Sequence, residues 1–156
     1  IYRLTENTPC YFAQRSPLVL AEGSLCPFNS QNTATRSELF PLLYLPATVT
    51  FRFTDILRAL IAQPIMWLYG YRLGFTHATV IQKRNPHDFM QDFASEVPMY
   101  LKTRDVVEIV SSSISEVESL ETNLHRAYSG LRAHDIVGAE ELPALEAWLR
   151  DTGVGR

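Results

Sequence analysis

Between Thr54 and Gly70 apolar residues recur at helical spacing: Ile56, Leu57, Leu60 and Ile61 stand at i, i+1, i+4 and i+5. That stripe predicts a helix with one face against a core. Thr54-Asp55 just before it supplies an N-cap signal. Pro64 has no amide hydrogen and clashes with the preceding turn, so the helix is expected to kink or restart there before Met66, Trp67 and Tyr69 carry it to Gly70. A second helix is predicted from Asp88 to about Glu96, ending near Pro98. From Thr103 onward the chain reads as helical throughout. Val106, Val107 and Val110 mark one face, and Ile114, Val117, Leu120, Leu124 and Tyr128 mark another. Ser115 with Glu118 fits a capping box. A last helix is expected from about Glu140 to Leu149, with Leu142, Leu145, Trp148 and Leu149 apolar.

The first fifty residues follow another pattern. Short apolar bursts, Leu18-Val-Leu20 and Leu42-Leu-Tyr-Leu45, are bounded by Pro or Ser and read as short buried strands, and Thr79-Val-Ile81 further on reads as a short β-branched strand. Pro27 to Thr33 is polar with few helix formers and is expected to be a loop. No internal repeat or low-complexity stretch appears.

Composition narrows the classes. The chain has 156 residues, one domain or part of one, and its 46% hydrophobic content can fill a sizeable core. The net charge of -3 argues against a nucleic-acid binder that works by bulk electrostatics. Residues 1–102 carry 9 Lys/Arg against 7 Asp/Glu, and residues 103–156 carry 5 against 10, so an anionic ligand is expected on the first part, at +2, rather than the second, at -5. Cys10 and Cys26 are too few for a disulfide framework, and Cys26 beside Pro27 and Phe28 reads as a small buried hydrophobe. No apolar run reaches the roughly 20 residues of a membrane span. The chain opens at Ile1 without Met, which suggests a piece of a larger protein whose targeting signal would lie upstream.

Candidate chemistry concentrates beside the apolar bursts, where α/β folds place ligands. Asn29-Ser-Gln-Asn32 with Arg36 has the amide and hydroxyl density that suits a hydroxyl-rich or phosphate-bearing ligand; the bland alternative is a loop that caps its own backbone. In Arg52-Phe-Thr-Asp55, Asp55 is either an electrostatic cap at a helix N-terminus or a general base held at a junction, with Arg52 and Arg58 placed to keep it ionised. In Gln82-Lys-Arg-Asn-Pro-His-Asp88, Arg84 suits bidentate phosphate binding and His87 a metal or phosphate contact; the alternative is a solvated turn with Asp88 capping the next helix. His77, His125 and His134 lack metal-ligand spacing and read as structural. No Walker loop, C-x-x-C, H-E-x-x-H or G-x-S-x-G is present.

These clusters carry a resemblance. Cys26-Pro-Phe-Asn-Ser-Gln-Asn-Thr33, Phe40-Pro-Leu-Leu-Tyr-Leu-Pro46, Phe51-Arg-Phe-Thr-Asp-Ile56 with Ala62-Gln63, and Thr79 through Asp88 run in order along the chain. Phe93-Ala-Ser-Glu-Val-Pro-Met-Tyr100 and Glu141-Leu-Pro-Ala-Leu-Glu-Ala-Trp-Leu149 extend the series. The chain resembles the STELLO-type glycosyltransferase family, which is related to the reversibly glycosylated polypeptides, the UDP-arabinopyranose mutases. The resemblance implies an α/β fold: the acceptor-side half of a GT-A-like, Rossmann-like glycosyltransferase over 1–102, followed by a C-terminal helical region over 103–156. It implies a nucleotide-sugar donor, a hydroxyl acceptor, a divalent cation (Mn or Mg) in the full-length enzyme, and a Golgi setting if the protein is like plant relatives. The Asp-x-Asp cluster that binds donor and cation in such folds is absent from this chain and is expected before Ile1, in an N-terminal half of the same protein.

Carried over by position, Asn29, Gln31 and Asn32 would line the donor-sugar and acceptor side, and Asp55 would be the base or acceptor contact. Arg52, Arg84, Asn85 and His87 would bind substrate. His87 is the candidate metal ligand of this half, although Gln82 stands where such folds often place a His after the strand. A non-catalytic scaffold, a nucleotide-sugar mutase and a helical oligomerisation region at 103–156 are the competing readings.

Overall fold

The computed structural model describes residues 17–81 and 88–153. Cys10, Gln82, Lys83, Arg84, Asn85 and His87 lie outside them. The described chain is mostly helical: α1 is Thr54–Leu68, α2 is Phe89–Ser113, α3 is Leu120–Ala133 and α4 is Glu141–Thr152. Strands β1, Leu18–Val19, and β2, Gly74–Phe75, form one antiparallel ribbon with Leu18 opposite Phe75 and Val19 opposite Gly74. Helix and strand are both present, as an α/β class requires, with helix dominant. The core lies where α1, α2 and α3 meet, with α4 and the residues 39–44 closing it.

Helix α1 starts where the sequence predicts, but it runs through Pro64 without restarting. Every residue from 57 to 65 is buried, and packing on all sides overrides a local cost of about 3 kcal/mol for an interior proline. The helix ends in a Schellman arrangement. Gly70, at φ 77°, donates to the Trp67 carbonyl at 3.0 Å, and Tyr71 donates to Met66 at 2.9 Å. Thr54 is the first helical residue rather than a side-chain cap; its hydroxyl turns back to the Phe51 carbonyl at 2.9 Å.

Three strand or boundary expectations are corrected. Leu42 to Leu45 is not a strand; Ser37–Leu43 forms a 3-10 helix. The decisive period is three, not two: Leu39 and Leu42 are both buried, as residues three apart on a 3-10 turn must be to share a face. Thr79 to Ile81 is not a strand either. Ile81 is 101% exposed, and a β-branched run without a partner to pack on has no reason to extend a sheet. Helix α2 is capped by Asp88 as expected, with its carboxylate accepting from Met90 and Gln91 at 3.0 Å. It does not end near Pro98 but continues to Ser113, and so passes residue 103 unbroken. The carbonyl that Pro98 releases belongs to Ala94, an exposed residue that water reaches.

Between α2 and α3 the cap also differs from expectation. Ser119, not Ser115, caps α3 by accepting from the Thr122 amide at 3.1 Å. Val117, read as a core position, is 90% exposed. Ser115 is instead held by the buried Asn123, which accepts from its amide and donates to its carbonyl, both at 2.8 Å.

The segment from Tyr44 to Thr48 lies outside helix and strand and is tied to α4 by Glu141. That fully buried carboxylate accepts from the Tyr44 hydroxyl at 2.6 Å, the Ala47 amide at 3.0 Å, the Thr48 amide at 2.9 Å and the Thr48 hydroxyl. The Tyr44 ring meets the buried Tyr128 ring edge-on, with centroids 5.3 Å apart. Burial, reinforced by the Glu141 charge, pushes both phenols above their usual value of 10. Their folded form binds the proton more tightly than the unfolded chain does. The resulting stability is fully present below pH 10 and is lost as pH rises above it. Spectrophotometric titration at the tyrosinate band should therefore show Tyr44 and Tyr128 ionising only together with loss of helical circular dichroism. Ionisation of all seven tyrosines near pH 10 with helicity intact would contradict this packing.

Candidate functional site

The loop from Cys26 to Thr33 has few backbone partners, so its shape comes from helix α1. Gln63, fully buried, donates to the Cys26 carbonyl at 2.8 Å and accepts from the Cys26 amide at 3.1 Å, which fixes the entry to the loop. One turn earlier the buried Arg58 donates to the Phe28 carbonyl at 2.9 Å and to the Ser30 hydroxyl, and its guanidinium sits 4.8 Å over the Phe28 ring. Burial lowers the Arg58 pKa, while the charge of Asp55 acts in the opposite direction. Cys26 is half-buried with a free thiol.

Beyond the clamp the loop partly satisfies itself. The Asn29 side chain accepts from the Gln31 amide at 3.2 Å and its nitrogen reaches the Gln31 side-chain oxygen at 3.4 Å, while the Thr33 hydroxyl donates to the Asn29 carbonyl at 2.7 Å. This is the Asx-turn alternative from the sequence, and it leaves Asn29 and Gln31 on an open rim.

That rim belongs to a cleft of about 470 Å³ which brings Asn29, Gln31, Arg52 and Asp55 together with Phe28, Phe51 and Glu96. Its size falls within the roughly 300–1,000 Å³ of small-molecule sites. Asp55 lies in the first turn of α1, where the positive end of the helix dipole favours a carboxylate. Arg52 is ion-paired with Asp92 of α2, and the Thr50 hydroxyl donates to the Ser95 carbonyl at 3.1 Å, so α2 forms the opposite wall. Glu96, one helical turn after Asp92, is the cleft carboxylate that sequence reading missed. The i, i+4 spacing puts Asp92 and Glu96 on one face of α2, but only the pairing of Asp92 with Arg52, 40 positions away, shows that this face lines the cleft.

Asn32 does not enter this cleft. It turns the other way, donating to the Thr79 hydroxyl at 3.1 Å, and lines a second cleft of about 680 Å³. Arg84, Asn85 and His87 lie outside the described residues. Among the described residues no three carboxylate, imidazole or thiol groups are placed to hold a metal ion. His125 faces Glu146 at 3.5 Å, and the His134 ring nitrogen is 2.9 Å from the Gly130 carbonyl. No helix among the described residues is long and apolar enough to cross a membrane.

The sequence model of the STELLO glycosyltransferases matches residues 52–154, two thirds of the chain. The chain belongs to the STELLO glycosyltransferase family. The matched span begins at Arg52 and takes in Asp55, Asp92, Glu96 and all four α-helices. Membership gives glycosyl transfer as the general activity, with a nucleotide sugar and an acceptor as the classes of substrate. The loop 26–32 stands before the match and is joined to the family region by Gln63 at Cys26 and by Arg58 at Phe28 and Ser30. A comparison with curated proteins gives no match.

Replacing Gln63 with Ala strips the Cys26 amide and carbonyl of their partners. The variant should lose about 1–3 kcal/mol in urea denaturation, and limited proteolysis should cut sooner within residues 26–33. An unchanged cleavage pattern would mean that the loop is held by something else.

Proposed function

We propose that this chain forms the acceptor-side wall of a GT-A-like glycosyltransferase, which moves a sugar from a UDP-sugar-type donor to an acceptor hydroxyl. What supports the reading is the convergence of Asp55, Arg52, Asn29 and Gln31 on one cleft whose Asp55 and Arg52 open the family match. In this proposal Asp55 takes the acceptor proton as general base while the acceptor oxygen bonds to the anomeric carbon. The bond from that carbon to the donor diphosphate breaks, and the diphosphate leaves as an anion. Asn29 and Gln31 orient hydroxyl groups, since side-chain amides donate and accept in fixed directions. By the family resemblance, Arg84 would offset charge on the leaving diphosphate, and Asn85 and His87 would contact substrate. Arg52, closed by Asp92, serves position more than charge. The divalent cation that would neutralise the donor diphosphate is assigned to ligands other than the described residues.

A second reading, a glycosyltransferase-like binding module without turnover, is favoured by one observation: Asn29 pairs with Gln31 and Arg52 with Asp92, so much of the cleft chemistry is internally satisfied. Release of UDP from a UDP-sugar in the presence of acceptor separates the two. Asp55→Asn should lower turnover by about 10²–10⁴-fold with circular dichroism unchanged. Turnover equal to that of the parent, with folding intact, would remove Asp55 from the mechanism and favour the binding module.

A further inference from the structure

The larger cleft, about 680 Å³, lies between the loop 32–36 and the segment 71–79, and shares with the Asp55 cleft only Pro27, Phe28 and Asn29. We infer that it is a second binding site, for a neutral carbohydrate chain. Its floor is apolar, built from Leu39, Leu42, Ala62 and Met66. Its walls carry uncharged donors and acceptors, among them Asn32, Thr33, Thr76 and Thr79. Asn32 and Thr79 meet across it, with the Asn32 nitrogen donating at 3.1 Å and the Thr79 hydroxyl 3.4 Å from the Asn32 oxygen. Such a pair presents both a donor and an acceptor on an exposed surface, the complement of a sugar hydroxyl.

Two further observations select the ligand class. Phe75 lines the cleft from β2, where pairing with Leu18 fixes the strand, and its side chain remains open to solvent. The negative face of an aromatic ring attracts the weakly positive C–H face of a pyranose. The two guanidinium groups of the lining are also already closed by carboxylates: Arg36 by Glu38 at 2.8 Å and Arg72 by Glu22 at 2.6 Å. The Tyr71 hydroxyl also donates to Glu38, at 3.0 Å, and the Glu38 backbone amide, together with Arg36 and Tyr71, holds the Glu38 carboxyl down at about 2. A phosphate or uronate would have to displace an existing anion, whereas a neutral polyol need not. The ligand is therefore a hydroxyl-rich chain lying on a ring and an amide, beside the proposed transfer site but independent of its chemistry.

An array of neutral, phosphorylated and uronate-bearing oligosaccharides, probed with the 156-residue chain, tests this, with calorimetry on the best binders. Neutral oligosaccharides should bind, Phe75→Ala and Asn32→Ala should each weaken binding by about tenfold, and Phe75→Tyr, which keeps the ring, should retain it. Asp55→Asn should bind like the parent, so failure of the proposed catalytic role leaves this inference standing. No binding of any neutral oligosaccharide, a preference for the anionic ones, or full affinity in both alanine variants would overturn it. So would loss of binding in Asp55→Asn, which would move the ligand to the smaller cleft.

Discussion

Each buried polar side chain of the core, Arg58, Gln63, Asn123 and Glu141, holds a stretch of chain that has no regular structure of its own. A backbone amide or carbonyl removed from water must find a partner, and a segment outside helix and sheet cannot supply one from its neighbours. Here helices supply it. Arg58 and Gln63 on α1 take the loop 26–30, Asn123 on α3 takes Ser115, and Glu141 on α4 takes Ala47 and Thr48. Among the described residues the sheet has two strands of two residues, so these side chains do what ladders do in a larger α/β fold.

This arrangement ties the candidate site to the core. Arg58 and Gln63 sit on the same helix whose first turn carries Asp55, so the loop wall and the carboxylate move together. The opposite wall is attached by Arg52 to Asp92, which fixes α2 against the turn that starts α1. Satisfaction is not complete. The Arg58 Nε and the Tyr128 hydroxyl are buried without hydrogen-bond partners, a cost of about 1–3 kcal/mol for each such group. The cation over the Phe28 ring offsets part of it.

Much of the helical framework was legible because its signals are local. The stripe 56–61, the Asp88 cap and the apolar positions of α4 each follow from spacing within one or two turns. The errors came where distant packing outweighs a local rule. Locally, Pro64 predicts a kink or restart and Pro98 an end, yet both helices pass through them. As a short apolar burst, Leu42 to Leu45 predicts a buried strand, when the buried pair Leu39 and Leu42 shows period three. For the site, the sequence singled out Asn29, Gln31, Arg52 and Asp55, which share a cleft, and Asn32, which does not. Glu96 and the clamping roles of Arg58 and Gln63 depend on residues about 30 to 40 positions away, which spacing within one element cannot reveal.

If helix side chains hold the irregular segments, the amides of Cys26, Ala47, Thr48 and Ser115 are as protected as core helix. Native-state hydrogen exchange reads this directly. These four amides should exchange within about tenfold of Leu60 in α1 and Ala127 in α3, by opening that requires the core to open. Exchange at the rate of the exposed residues 33–35 would show that the clamps do not hold and that the candidate site has no fixed wall.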